Sequence, residues 1–129
     1  MIIGVGTDLV CIKHFKSAFK KTPAILDRVF TPAEKEHADK LTAVKKMAYY
    51  AKRFAAKEAI SKACGTGIGR QIGWQDMEIL NDKSGAPVAS FSSKSQLFLQ
   101  KKFKTKKIQI LISLADEDEY ALAFATLTK

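Results

Sequence analysis

The stretch Arg53-Phe54-Ala55-Ala56-Lys57-Glu58-Ala59-Ile60-Ser61-Lys62-Ala63, running into Cys64-Gly65-Thr66-Gly67-Ile68-Gly69, decides how the rest of the chain is organised. Ala, Lys and Glu are strong helix formers, and nothing between Thr42 and Cys64 interrupts them. The spacing predicts a helix from about Thr42 to Cys64, roughly 23 residues or about 34 Å long. Gly65 is well placed to take the left-handed conformation that ends a helix. Phe54, Glu58 and Lys62 recur at spacing four and share one face, where Glu58 is flanked by cations. A Glu and a Lys at a helix end beside a glycine loop support two readings. One is an exposed ion pair worth on the order of a few tenths of a kcal/mol. The other is a site that holds a metal ion and the phosphates bound to it.

Upstream, residues 2 to 12 read as a strand that is apolar on both faces. Ile3, Val5 and Leu9 lie on one face, Ile2 and Val10 on the other, and Asp8 shares the second face with Gly4 and Gly6. Two glycines there leave room for a backbone or a ligand to approach closely. An acid in an apolar strand is costly unless paired or bound to a metal, or unless it sits at the strand end and caps the next helix.

The remaining segments alternate between helix and strand. A short basic helix is expected from Lys13 to about Lys21, with Phe15, Ala18 and Phe19 inward. Thr31-Pro32-Ala33-Glu34 is a helix start with a capping box, and that helix runs to about Lys40. Met77 to Asn81 and Pro87 to Phe91 form a hairpin around the turn Asn81-Asp82-Lys83-Ser84-Gly85. Ser92 or Ser93 caps a helix to about Phe103. Lys107 to Asp116 and Tyr120 to Leu127 are closing strands joined by the acidic turn Asp116-Glu117-Asp118-Glu119. Ala121, Ala123 and Ala125 share one face of the last strand, which suits close packing of the alanine-rich helix. The fold class is α+β: one long helix on a small, mostly antiparallel sheet, within one domain spanning 1–129.

Composition narrows the function. At 129 residues and 47% hydrophobic content the chain can bury a real core. No apolar run reaches membrane-spanning length, and Asp8 breaks the apolar start, so neither a membrane anchor nor a signal peptide is expected. Cys11 and Cys64 lack metal-type spacing and read as free thiols in a reducing, cytoplasmic compartment. The net charge is +9, and only three of the 22 Lys and Arg residues are arginine. Such a field attracts polyanions, and lysine serves phosphate and acidic surfaces better than it reads bases. A nucleic-acid module would draw on the Lys101 to Lys107 cluster. It lacks interleaved aromatic residues and any helix-turn-helix or zinc spacing, so no nucleic-acid partner is expected.

With the helix motif and its glycine loop stand Gly4-Val5-Gly6-Thr7-Asp8, Asn81-Asp82-Lys83-Ser84-Gly85-Ala86-Pro87 and the run Ser113-Leu114-Ala115-Asp116-Glu117 through Tyr120-Ala121. In these residues and their order, essentially the whole chain resembles the holo-acyl-carrier-protein synthases, small bacterial-type 4′-phosphopantetheinyl transferases. The resemblance implies that fold, and transfer of 4′-phosphopantetheine from coenzyme A to a serine of an acyl carrier protein in support of fatty acid biosynthesis. It implies Mg²⁺ held by Asp8 and Glu58, with Glu58 and Lys62 catalytic, Glu58 the candidate for taking the serine proton, directly or through a metal-bound water, and Lys62 on the phosphate. Arg53, Lys62, Gly65, Gly67 and Gly69 are expected to bind coenzyme A, and His14 and Arg28 to dock the carrier. A homotrimer with active sites between subunits is implied as well. Two positions depart from the family pattern: His14 stands where many relatives carry Arg, and Asp116 where one branch carries His. His37, on a charged helix, reads as a solvated surface residue.

Overall fold

The computed structural model describes residues 1–129. The elements are β1 (Ile2–Cys11), α1 (Ile12–Lys21), α2 (Ile25–Val29), α3 (Pro32–Asp39), α4 (Ala43–Ala63), a 3₁₀ turn (Trp74–Asp76), β2 (Met77–Asn81), β3 (Pro87–Phe91), α5 (Ser93–Lys102), β4 (Gln109–Asp116) and β5 (Tyr120–Thr128). Three strands form an antiparallel sheet in the order β1-β5-β4, and β2 and β3 form a separate antiparallel hairpin. No helix is long and apolar enough to cross a membrane.

Helix α4 lies across the three-stranded sheet, and small residues set how closely it lies. Ala121, Ala123 and Ala125 of β5 and Ala55, Ala56 and Ala59 of α4 are all completely buried. On β1 the approach is tighter still. A Cβ on Gly4 would stand 1.9 Å from the Ala63 carbonyl oxygen, and one on Gly6 would stand 2.0 Å from that of Ala59. The space left by these glycines is therefore filled by the helix backbone.

The short helices pack on the remaining flank of α4 through aromatic rings. Phe30 meets Tyr50 at 4.5 Å, Phe15 meets Phe54 at 5.4 Å, and Phe54 stacks on Trp74 at 5.0 Å between ring centres. The capping box at α3 forms as its sequence predicts: Thr31 Oγ1 accepts from the Glu34 amide, and Glu34 Oε1 accepts from the Thr31 amide at 2.8 Å. Ser92 caps α5 by accepting from the Ser95 amide.

Glu34 does more than cap its helix. Lys57, which the sequence places among the cations flanking Glu58, is completely buried, and its ammonium donates to Glu34 Oε1 at 2.7 Å, Val29 O at 2.6 Å and Trp74 O at 3.0 Å. The other Glu34 oxygen accepts from the Ile79 amide at 2.8 Å. One buried pair thus joins α2, α3, α4, the 3₁₀ turn and β2. Burial pushes the Lys57 ammonium below the usual lysine range, against the opposing pull of Glu34. Removing one partner of such a pair typically costs about 3–5 kcal/mol, because the other charge is left buried and alone.

His37 is half-buried, with its ring stacked on Tyr49 at 5.1 Å, rather than fully solvated. The sheet face turned away from α4 is open. Val5 and Leu9 of β1, Leu111 of β4, and Leu122 and Phe124 of β5 are 43–61% exposed there. Leu9 stands opposite Leu122 in the register, so the apolar patch is continuous across strands.

Candidate active site

The alternation of β1 turns Gly4, Gly6 and Asp8 toward α4 in succession. With Gly4 seated against Ala63 and Gly6 against Ala59, Asp8 arrives beside the face of the helix that carries Glu58 and Lys62. Lys62 Nζ donates to Asp8 Oδ1 at 3.2 Å and to Thr7 O at 3.0 Å. An open cleft of about 520 Å³ is lined by Asp8, Glu58 and Lys62, by Phe54 one turn before Glu58, and by Cys11 and His14 at the β1–α1 junction. The spacing-four face read in the sequence is thus one wall of the cleft. A slightly larger groove, about 600 Å³, runs between β3 and the start of β4, but it has no titratable lining and offers no comparable chemistry.

The charges in the cleft are unequal in burial. The Asp8 side chain is 18% exposed and that of Lys62 53%, so the ammonium reaches toward solvent while the acid sits deeper. Glu58 is half-buried, and burial first and then the charge of Asp8 hold its carboxyl above the usual range, with Lys62 opposing. Two carboxylates in one cleft with a single shared cation form a site whose like charges a further cation would relieve. No cluster of three or more His, Cys, Asp and Glu gathers anywhere in the chain. Two carboxylates with room for phosphate oxygens suit a hard ion such as Mg²⁺, which commonly takes only one or two protein carboxylates.

The remaining candidate residues divide. His14 reaches the cleft from α1, whereas Arg28 stands exposed on α2, outside the cleft lining. Gly65 closes α4 with φ of 71°, and Gly67 follows with φ of 64°. At Gly67 and Gly69 nothing lies within 4 Å of where a side chain would begin, so the loop beyond Lys62 is open. Arg53 is 3% exposed, stacks 3.9 Å above the Tyr49 ring, and donates to Asn81 Oδ1 at 2.8 Å and to Ile79 O. Its guanidinium ties α4 to the β2–β3 hairpin. Asp116 pairs with Lys52 of α4 at 3.0 Å and does not line the cleft. One contact went unread in the sequence. Lys102 of α5 donates to Cys64 O at 2.7 Å, placing a cation where the helix dipole favours one, at the start of the glycine loop.

The family model for the 4′-phosphopantetheinyl transferase superfamily matches residues 4–125, which includes both carboxylates and the glycine loop. The chain belongs to that superfamily. It is 38% identical over 129 residues to a holo-[acyl-carrier-protein] synthase of Pelagibacter ubique, covering 99% of this chain and 98% of the relative. The crystal structure of holo-[acyl-carrier-protein] synthase from Neisseria meningitidis superposes with a TM-score of 0.90 at 34% identity, over 100% of both chains. A holo-(acyl-carrier-protein) synthase from Bacillus anthracis, solved in complex with CoA (3′,5′-ADP), superposes at 0.82 with 31% identity, over 98% of this chain and 96% of that one.

The raised Glu58 pKa makes a prediction about stability. A carboxyl whose folded pKa exceeds its unfolded value weakens the fold as pH rises through the interval between them. In metal-free buffer at neutral pH, Glu58→Gln is therefore expected to melt above the native protein, with the gain vanishing below the ordinary carboxylate range. Melting curves at both pH values check this, and a variant less stable at neutral pH contradicts the strained-carboxylate reading.

Proposed function

We infer that the chain transfers 4′-phosphopantetheine from coenzyme A to the serine hydroxyl of an apo-acyl carrier protein, releasing adenosine 3′,5′-bisphosphate, in support of fatty acid biosynthesis. The observation that carries this reading is the meeting of Asp8, Glu58 and Lys62 in one cleft, in a chain of this family. The residues 1–129 act as one transferase domain, and the compartment consistent with two free thiols is the cytoplasm.

Asp8 and Glu58 are the residues that would hold Mg²⁺, which when bound neutralises pyrophosphate charge and orients the phosphate for attack. Lys62, half-exposed at the cleft mouth, offers its ammonium to the phosphate and stabilises the charge that grows as the bond to the leaving group breaks. Glu58 accepts the serine proton as the serine oxygen attacks phosphorus. Gly65, Gly67 and Gly69 leave alternate positions of the loop beyond Lys62 without a side chain, giving the coenzyme room to lie there. His14, at the cleft edge, and Arg28, on α2, face the carrier, whose acidic surface suits the +9 charge of the chain. An imidazole at position 14 lacks the forked, bidentate guanidinium that Arg would offer an acidic surface.

The open apolar face of the β1-β5-β4 sheet supports assembly, with a homotrimer as the proposed state. A contiguous exposed apolar patch of this kind marks an interaction surface.

Incubation of the protein with coenzyme A, Mg²⁺ and apo-carrier is expected to add the mass of one phosphopantetheine group to the carrier. Lys62→Ala should lower kcat on the order of 10²-fold, in line with loss of one transition-state donor. Absence of mass gain on every carrier tried would sink the enzymatic reading. For assembly, light scattering should give a trimer for the native protein and a smaller species for Phe124→Glu; a native monomer with full activity contradicts the trimer.

A further inference from the structure

Helix α2 is only five residues long, and a helix that short does not hold itself together in water. Its last carbonyls are the groups that a helix end leaves without partners. In this chain each of four consecutive carbonyls, from Asp27 to Phe30, has a side-chain donor. The Gln75 amide nitrogen donates to Asp27 O at 2.9 Å and Phe30 O at 2.7 Å, with Arg28 O at the margin, 3.5 Å away. The Lys57 ammonium donates to Val29 O at 2.6 Å.

Both donors stand on fixed supports. Lys57 is locked by Glu34, and Gln75 belongs to the 3₁₀ turn Trp74–Asp76. That turn is pinned at one end by Asp76, which accepts from the Gly73 amide at 2.9 Å and from Ser92 Oγ at 2.7 Å. At its other end the Trp74 carbonyl accepts from Lys57, and the Trp74 ring stacks on Phe54, which lines the cleft. The turn therefore touches the cleft wall with one residue and grips the Arg28 segment with the next. The only other side-chain tie on α2 is the exposed Asp27–Lys35 pair, and exposed pairs contribute little.

We propose that Gln75 is a positioning residue for carrier recognition: its side-chain amide clamps the C-terminal carbonyls of α2 and so fixes Arg28 relative to the cleft. The inference rests on the reading of Arg28 as a carrier contact. Gln75 itself touches neither coenzyme nor reacting atoms. It is exposed, so the fold does not depend on it as it does on Lys57.

Gln75→Met keeps the length of the side chain and removes both donors. It is expected to raise KM for the carrier about threefold to tenfold, the range for loss of one or two net hydrogen bonds, with kcat and KM for coenzyme A unaltered. Amide hydrogen exchange over residues 25–30 should quicken in the same variant. Because Gln75 acts through Arg28, the double variant Gln75→Met/Arg28→Ala should match Arg28→Ala alone rather than sum the two effects. If Arg28→Ala raises KM and Gln75→Met does not, or if the two effects add, the clamp is overturned and the docking role of Arg28 stands. If Arg28→Ala leaves KM unchanged, the docking role fails and the inference fails with it.

Discussion

The contact between the backbone of β1 and the backbone of α4 governs this molecule. Gly4 and Gly6 let the strand lie against the Ala63 and Ala59 carbonyls, at a distance that admits no side chain. Because strand side chains alternate, the same register that seats two glycines turns Asp8 toward the helix. Because helix side chains repeat every third or fourth position, Glu58 and Lys62, each one residue before an alanine that seats a glycine, meet Asp8 from one face of α4. Shifting the strand by one residue would turn the acid to the opposite, open face of the sheet and leave the cleft with a single carboxylate.

Two adjacent residues on α4 show how much one helix is asked to do. Glu58 faces the cleft, where its carboxyl is strained by burial and by Asp8. Lys57, about 100° around the helix, faces the interior and anchors the segment that carries Arg28 and the turn that carries Gln75. The ammonium fixes the scaffold around the site, while the carboxylate is the one proposed for the chemistry. The buried Lys57–Glu34 pair stands behind the cleft, connected to its wall through Trp74 and Phe54.

Much of this was legible in the sequence. The Thr31–Glu34 capping box, both strands of the β2–β3 hairpin, the end of α4 at Gly65 and the alanine face of β5 all follow from local rules, and the structure follows them. The shared face of Phe54, Glu58 and Lys62 was readable from spacing alone. The burial of Lys57 and Arg53 was not. An alanine-rich helix contacted on several sides has no clear polar face, so its charged residues cannot be sorted into inside and outside by period. Their partners, Glu34 for one and Asn81 with Ile79 for the other, lie more than 20 residues away. Gln75 and Lys102 were hidden for a related reason: both cap helix ends that are distant in the chain, and capping by a remote side chain leaves no local pattern.

We propose that the strand acid Asp8 and the helix acid Glu58 form one metal-dependent coenzyme site. Calorimetric binding of coenzyme A, with and without Mg²⁺, to the native protein and to Asp8→Asn tests it most directly. Mg²⁺ should tighten coenzyme binding to the native protein and have little effect on Asp8→Asn, although the variant remains folded. An equal Mg²⁺ effect on both proteins would contradict the account.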